Sequence, residues 1–204
     1  MLPPPDSLSA AFRVGAILCA IFGSVFSIPS VWEMFFKQEK DGTPVGGSYL
    51  KAGEYGETEM NTSWSVFKEP LNAWTSLAYS VFGVAICYVG YNDLLSDRGL
   101  AENRMTANAG FSFMIGFACV YLGISSFLFH ASHTEPWRKA DAGMTSGICI
   151  PLVLFGIWDR ARLHGVGCNA MLVLCAFLLF TLTHGFVPYG SSDILLPAMV
   201  IILW

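Results

Sequence analysis

Charge is what this 204-residue chain has least of: Asp, Glu, Lys and Arg together make only 13% of it, about half the share of an ordinary soluble domain. With 11 basic residues and a net charge of −4, it has no basic patch of the kind that binds nucleic acid. The six cysteines include no CxxC pair, which removes a zinc ribbon or a thioredoxin-type redox motif. Cys19, Cys87, Cys119, Cys149, Cys168 and Cys175 fall in or beside apolar segments and read as small buried hydrophobes rather than a disulfide framework. There is no internal repeat and no low-complexity tract.

Hydrophobic residues, by contrast, make up 54% of the chain, and they come in runs. A spanning helix needs about 20 apolar residues. The first such run extends over Ala10–Ile28, with Arg13 near its start and Pro29 at its end. It is read as an N-terminal anchor, with a cleaved signal peptide as the alternative; Asp6 offsets Arg13 and leaves only a weak basic leader, which favours the anchor. Residues 29–68 form a polar loop carrying Lys37, Glu39, Lys40, Asp41, Glu54, Glu57 and Glu59, and a glycosylation sequon at Asn61-Thr62-Ser63. Four further runs follow at Pro70–Tyr91, Ala107–His130, Asp141–Trp158 and Cys168–Val187. A last one starts at Asp193 and reaches Trp204, and its twelve residues rise only about 18 Å, so the chain is expected to stop inside a helix. The expectation is an all-α, polytopic membrane helix bundle, divided into 1–28, 29–68 and a membrane domain over 69–204. Arg98, Arg104, Arg160 and Arg162 outnumber Arg138 and Lys139 in alternate connections, which places the 98 and 160 loops in the cytosol and the long loop and the 131–140 connection on the opposite side.

Ionisable groups cost about 2.5–3.5 kcal/mol each within a bilayer, so those that occur there require an explanation. Glu69 opens the second run, His130 closes the third and Asp141 opens the fourth; an up-down-up path brings all three to one membrane face. Ser126 lies four residues before His130 on the same helix face, and Asn72 one turn after Glu69. A hydroxyl, an imidazole and two carboxylates are the makings of a metal-hydrolase half-site. The plainer readings are carboxylates that complement helix N-termini, a histidine at the interface and a serine that packs helices.

The run Gly123-Ile124-Ser125-Ser126-Phe127-Leu128-Phe129-His130, with Asp141 eleven residues on, resembles the alkaline ceramidase family and the wider CREST superfamily of membrane hydrolases and receptors. Glu69-Pro70-Leu71-Asn72-Ala73-Trp74-Thr75-Ser76 is similar to the Glu-x-x-Asn-Thr-x-Ser stretch that opens the first core helix there. The resemblance covers residues 55–204 and implies part of a seven-helix ceramidase-like core, with the first apolar run as an addition. It implies Zn²⁺ held by His130, Asp141 activating water for attack on an amide, and Ser126 stabilising the oxyanion, with Asn72 and Ser76 supporting the site. It also raises Ca²⁺, with Glu69 as the best-matched ligand and Glu57, Glu59 and Asn61 as candidates; the Trp-Cys-Glu run usual in that calcium site has no counterpart.

One element of the pattern is missing. The family completes its zinc site with a late His-x3-His pair, and these 204 residues contain none. His133 is expected in an interfacial loop, His164 in a basic loop and His184 as a polar contact within the bundle. The implied function is a zinc-dependent amidohydrolase cleaving ceramide to a sphingoid base and a fatty acid in the endoplasmic reticulum, Golgi or another endomembrane, with the 204-residue chain itself expected to be inactive. Alternatives are a GPI-lipid-remodelling hydrolase, a progestin/adipoQ-type receptor, or a non-catalytic membrane scaffold. No nucleic-acid partner is expected.

Overall fold

The computed structural model of the chain describes residues 5–31, 67, 69–95, 109–160, 174 and 178. Among these residues five helices are defined: α1 (Pro5–Phe26), α2 (Pro70–Leu95), α3 (Ala109–Ser132), α4 (Glu135–Gly147) and α5 (Ile150–Arg160). Among the described residues, four stretches are long and apolar enough to cross a membrane: Ser7–Phe26, Pro70–Leu95, Ala109–Ser132 and Pro136–Arg160. This is an all-α, multi-pass membrane architecture. The sequon and most of the polar loop, the basic residues Arg98, Arg104 and Arg162, and the last two apolar runs apart from Leu174 and Leu178 lie outside the described residues.

The most extensive packing is between α2 and α3, and it follows from a pattern of small residues. Ser76, Ser80, Gly83, Cys87 and Gly90 recur at alternating spacings of four and three along α2. Ser112, Gly116, Cys119, Gly123 and Ser126 do the same along α3. With lipid outside, no hydrophobic drive brings helices together, and close backbone approach supplies the contact energy instead. Here the approach is tight: a Cβ on Gly83 would sit 2.5 Å from the Gly116 carbonyl oxygen, and one on Gly123 would sit 2.7 Å from the Ser80 nitrogen. Ser80 Oγ donates to the Val120 carbonyl at 2.9 Å, so a polar side chain in the seam is satisfied across it.

α1 lies on α2, and its outer face exposes Val14, Ile17, Leu18, Ile21 and Val25, as a helix facing lipid tails should. Its inner face brings Phe22 and Phe26 onto Phe127, with ring centroids at 5.4 and 6.3 Å. Phe67 and Trp74 pack on the same Phe127 at 5.2 and 6.2 Å. This aromatic cluster, with Ala73, Leu77, Leu128 and Ala131, forms a dry core just inside the end of the α2–α3 pair.

The fourth span differs from the sequence expectation. α3 continues to Ser132 and α4 begins at Glu135, leaving a connection of only two residues, His133 and Thr134, where a longer 131–140 connection was expected. Thr134 starts α4, its carbonyl accepting the Arg138 N–H at 3.0 Å, and Arg138 and Lys139 therefore lie on a helix. Asp141 is the seventh residue of α4 instead of the first of a span, so the helix-start role weighed for it does not apply. Between α4 and α5 the chain turns at Ile148 and Cys149. Pro151 accounts for the break: it has no N–H to offer the Gly147 carbonyl, and its ring crowds that oxygen.

Candidate functional site

Glu69 occupies the position just before α2. Its carbonyl accepts the Ala73 N–H at 2.9 Å, and Pro70 fills the first helical position, where a missing N–H is harmless. Its own N–H donates to the His130 carbonyl at 3.0 Å, which ties the start of α2 to the last turn of α3. The side chain turns inward, and Glu69 is only 1% exposed.

A carboxylate that buried needs partners on both oxygens. Oε2 lies 2.5 Å from His130 Nδ1 and receives the Asn72 amide N–H at 3.2 Å. Oε1 faces His133 Nε2 at 3.0 Å. That approach is close enough for an ion pair but off the hydrogen-bond axis, so Nε2 makes no hydrogen bond among the described residues. Neither carboxylate oxygen is left facing apolar surface.

His133 holds its place through an unusual backbone. It terminates α3 with its N–H on the Phe129 carbonyl at 2.6 Å and φ at +54°, the left-handed conformation that glycine usually supplies at a helix end. A side chain there costs about 1–2 kcal/mol. Ser132 Oγ, which donates to the Leu128 carbonyl at 2.6 Å and also accepts the Thr134 N–H at 3.3 Å, secures the turn. The histidine expected in an interfacial loop is in fact 8% exposed and packs its ring on Phe129. The repeated imidazole in His130-Ala131-Ser132-His133 was the available signal, but its meaning depended on a left-handed residue that no sequence pattern announces.

On the other side of His130 lies a second polar chain. Ser76 Oγ donates to the Asn72 carbonyl at 2.7 Å and lies 3.0 Å from Ser126 Oγ. Because the Ser76 hydrogen goes to Asn72, Ser126 is the donor in that contact, and the Ser126 hydroxyl and the His130 ring both lie near the Asp141 carboxylate. Ser126, His130, Asp141, Glu69, Asn72 and Ser76 are thus gathered at one end of the bundle, from α2, α3 and α4. Ser76 and Ser126 lie on one flank of His130 and Asn72, Glu69 and His133 on the other. Glu57, Glu59 and Asn61 lie outside the described residues, as do His164 and His184.

As to metals, one histidine here has the form of a ligand: an imidazole whose Nδ1 is taken by a carboxylate, the usual setting of a metal-bound ring. Among the described residues no three His, Cys, Asp or Glu side chains converge to complete a metal site. Chemically, the assembly offers a proton acceptor, a hydroxyl donor and an oriented imidazole at one end of the bundle.

Comparison with protein-family models, with curated proteins and with solved structures finds no match for this chain. The likeness to alkaline ceramidases therefore rests on the two sequence motifs alone.

Proposed function

We propose that this protein is a ceramidase-like member of the CREST superfamily, an amidohydrolase that cleaves the N-acyl bond of ceramide to a sphingoid base and a fatty acid. The observation that carries the reading is the meeting of Ser126, His130 and Asp141, from α3 and α4, at a single end of the bundle. An amide just below a lipid headgroup would meet such a centre at its own depth. The seven-helix core, Zn²⁺ and an endomembrane location belong to the same proposal, as does Ca²⁺ near Glu69.

His130 would be one ligand to zinc, and the ion when bound would supply Lewis acidity and a more acidic water. The chain's own groups account for the rest. Asp141 would accept a proton from the attacking water as its oxygen bonds to the amide carbon, and would return that proton to the leaving nitrogen as the carbon–nitrogen bond breaks. Ser126, whose O–H at rest meets Ser76 Oγ at 3.0 Å, would turn that O–H to the oxyanion. Phe127, Phe67 and Trp74 would keep bulk water from the pocket.

The test is release of sphingoid base from ceramide by the purified full-length gene product. Asp141→Asn should lower turnover about 10²–10⁴-fold, the usual contribution of a general base. Full turnover in Asp141→Asn would refute the mechanism. Inert ceramide together with altered GPI acyl chains in cells lacking the protein would move it to the lipid-remodelling branch.

A further inference from the structure

Glu69 has so far been a residue matched to a calcium ligand, but its surroundings suit another task. Both of its oxygens face nitrogen: His130 Nδ1 at 2.5 Å and His133 Nε2 at 3.0 Å. Asn72 adds an N–H donor to the oxygen that meets His130. Oε2 already accepts the Asn72 amide hydrogen, and it is this same oxygen that meets His130 Nδ1, so it serves here as an acceptor. The hydrogen in the His130–Glu69 contact then belongs to the imidazole, on Nδ1. Neutral imidazole carries only one N–H, so Nε2 is left as a bare lone pair.

We propose that Glu69 is the positioning residue for His130, fixing its ring orientation and its Nδ1–H tautomer so that Nε2 presents a lone pair to a bound metal or reacting group. Three features keep the carboxylate in place. The Glu69 N–H is bonded to the His130 carbonyl, so backbone and side chain of the two residues hold each other twice. Asn72 holds Oε2 from the first turn of α2. His133, fixed by its left-handed backbone, stands against Oε1 and limits rotation of the carboxylate. The cost of that conformation becomes intelligible if the position of Glu69 matters more than an unstrained helix end. The metal-directed purpose rests on the reading of His130 as a ligand; the tautomer does not.

The full-length protein, ¹⁵N-labelled at histidine and free of metal in detergent micelles, provides the test by long-range ¹⁵N–¹H spectroscopy, with His130 assigned from the signals lost in His130→Gln. The expected result is a protonated Nδ1 and an unprotonated Nε2. Glu69→Gln keeps an acceptor oxygen and should keep that tautomer; Glu69→Ala should shift it towards Nε2–H. Zinc titration of the same samples should show binding weakened about 10–100-fold in Glu69→Ala and largely retained in Glu69→Gln. An Nε2–H tautomer in the wild-type protein would overturn the proposal without needing any variant to fold. The Nδ1–H tautomer with no zinc uptake by the wild-type protein would instead overturn the metalloenzyme reading and leave the Glu69–His130 bond intact.

Discussion

The α2–α3 pair has two ends, built from the same small-residue stripe and finished differently. At the far end, Gly90 meets Ser112 and Ala109, and close backbone contact is all that is needed. At the near end, about 20 Å away along the helix, the stripe finishes in Ser76 and Ser126, and there Glu69, His130, His133 and Asp141 gather. Among the described residues, the seam contact at the far end is made by Gly90, Ser112 and Ala109, with no ionisable side chain in it. The concentration of ionisable groups at the near end, one of them on a strained backbone, is therefore not required by packing, and in a membrane such groups mark function by default.

Four substitutions sharpen that contrast. The largest effect on stability should come from Glu69→Ala, which removes the acceptor of both His130 Nδ1 and an Asn72 N–H; each lost buried contact costs about 1–3 kcal/mol, so denaturation in mixed micelles should show a loss of several kcal/mol. Next is Gly116→Leu, in mid-seam, where a Cβ alone would come within 2.8 Å of the Gly83 carbonyl oxygen. Overpacking of this kind costs about 1–3 kcal/mol, and a crosslink between α2 and α3 should form less readily. Ser126→Ala, a smaller change at the near end, should lose about 0.6 kcal/mol and at most about 1.7, the range for polar contacts between membrane helices, while its loss of activity should be much larger than that figure implies. The smallest change belongs to the lipid face: Ile17→Ala, at a position 58% exposed, should alter stability by less than about 0.5 kcal/mol. A stability loss in Ile17→Ala equal to that in Glu69→Ala would erase the distinction between site and scaffold.

Much of this architecture was legible in the residues. Apolar runs located α1, α2 and α3 to within a few residues, because a membrane helix must satisfy its backbone internally and advertises itself by unbroken hydrophobicity. The up-down-up path predicted that Glu69 and His130 lie at one end of the bundle, where the two side chains meet; it placed Asp141 there as a helix start, whereas Asp141 lies two turns into α4. The start of α4 was missed because Glu135-Pro136-Trp137-Arg138-Lys139 is too polar to look like part of a span, whereas Thr134 and Glu135 make a good helix start. The partnership of Glu69 with two histidines was also beyond reach. Spacing puts residues on a face, but which oxygen meets which nitrogen depends on the left-handed turn at His133 and on the close approach that the glycines permit.

The central claim is that His130 stands in a metal hydrolase centre and is more than a packed interfacial histidine. Elemental analysis of the full-length protein, purified in detergent without chelator, tests it most directly. The account predicts close to one zinc per chain in the wild type and at least a tenfold loss in His130→Ala at unchanged helix content. A wild-type protein without zinc, or a His130→Ala variant that retains it in full, would contradict the account.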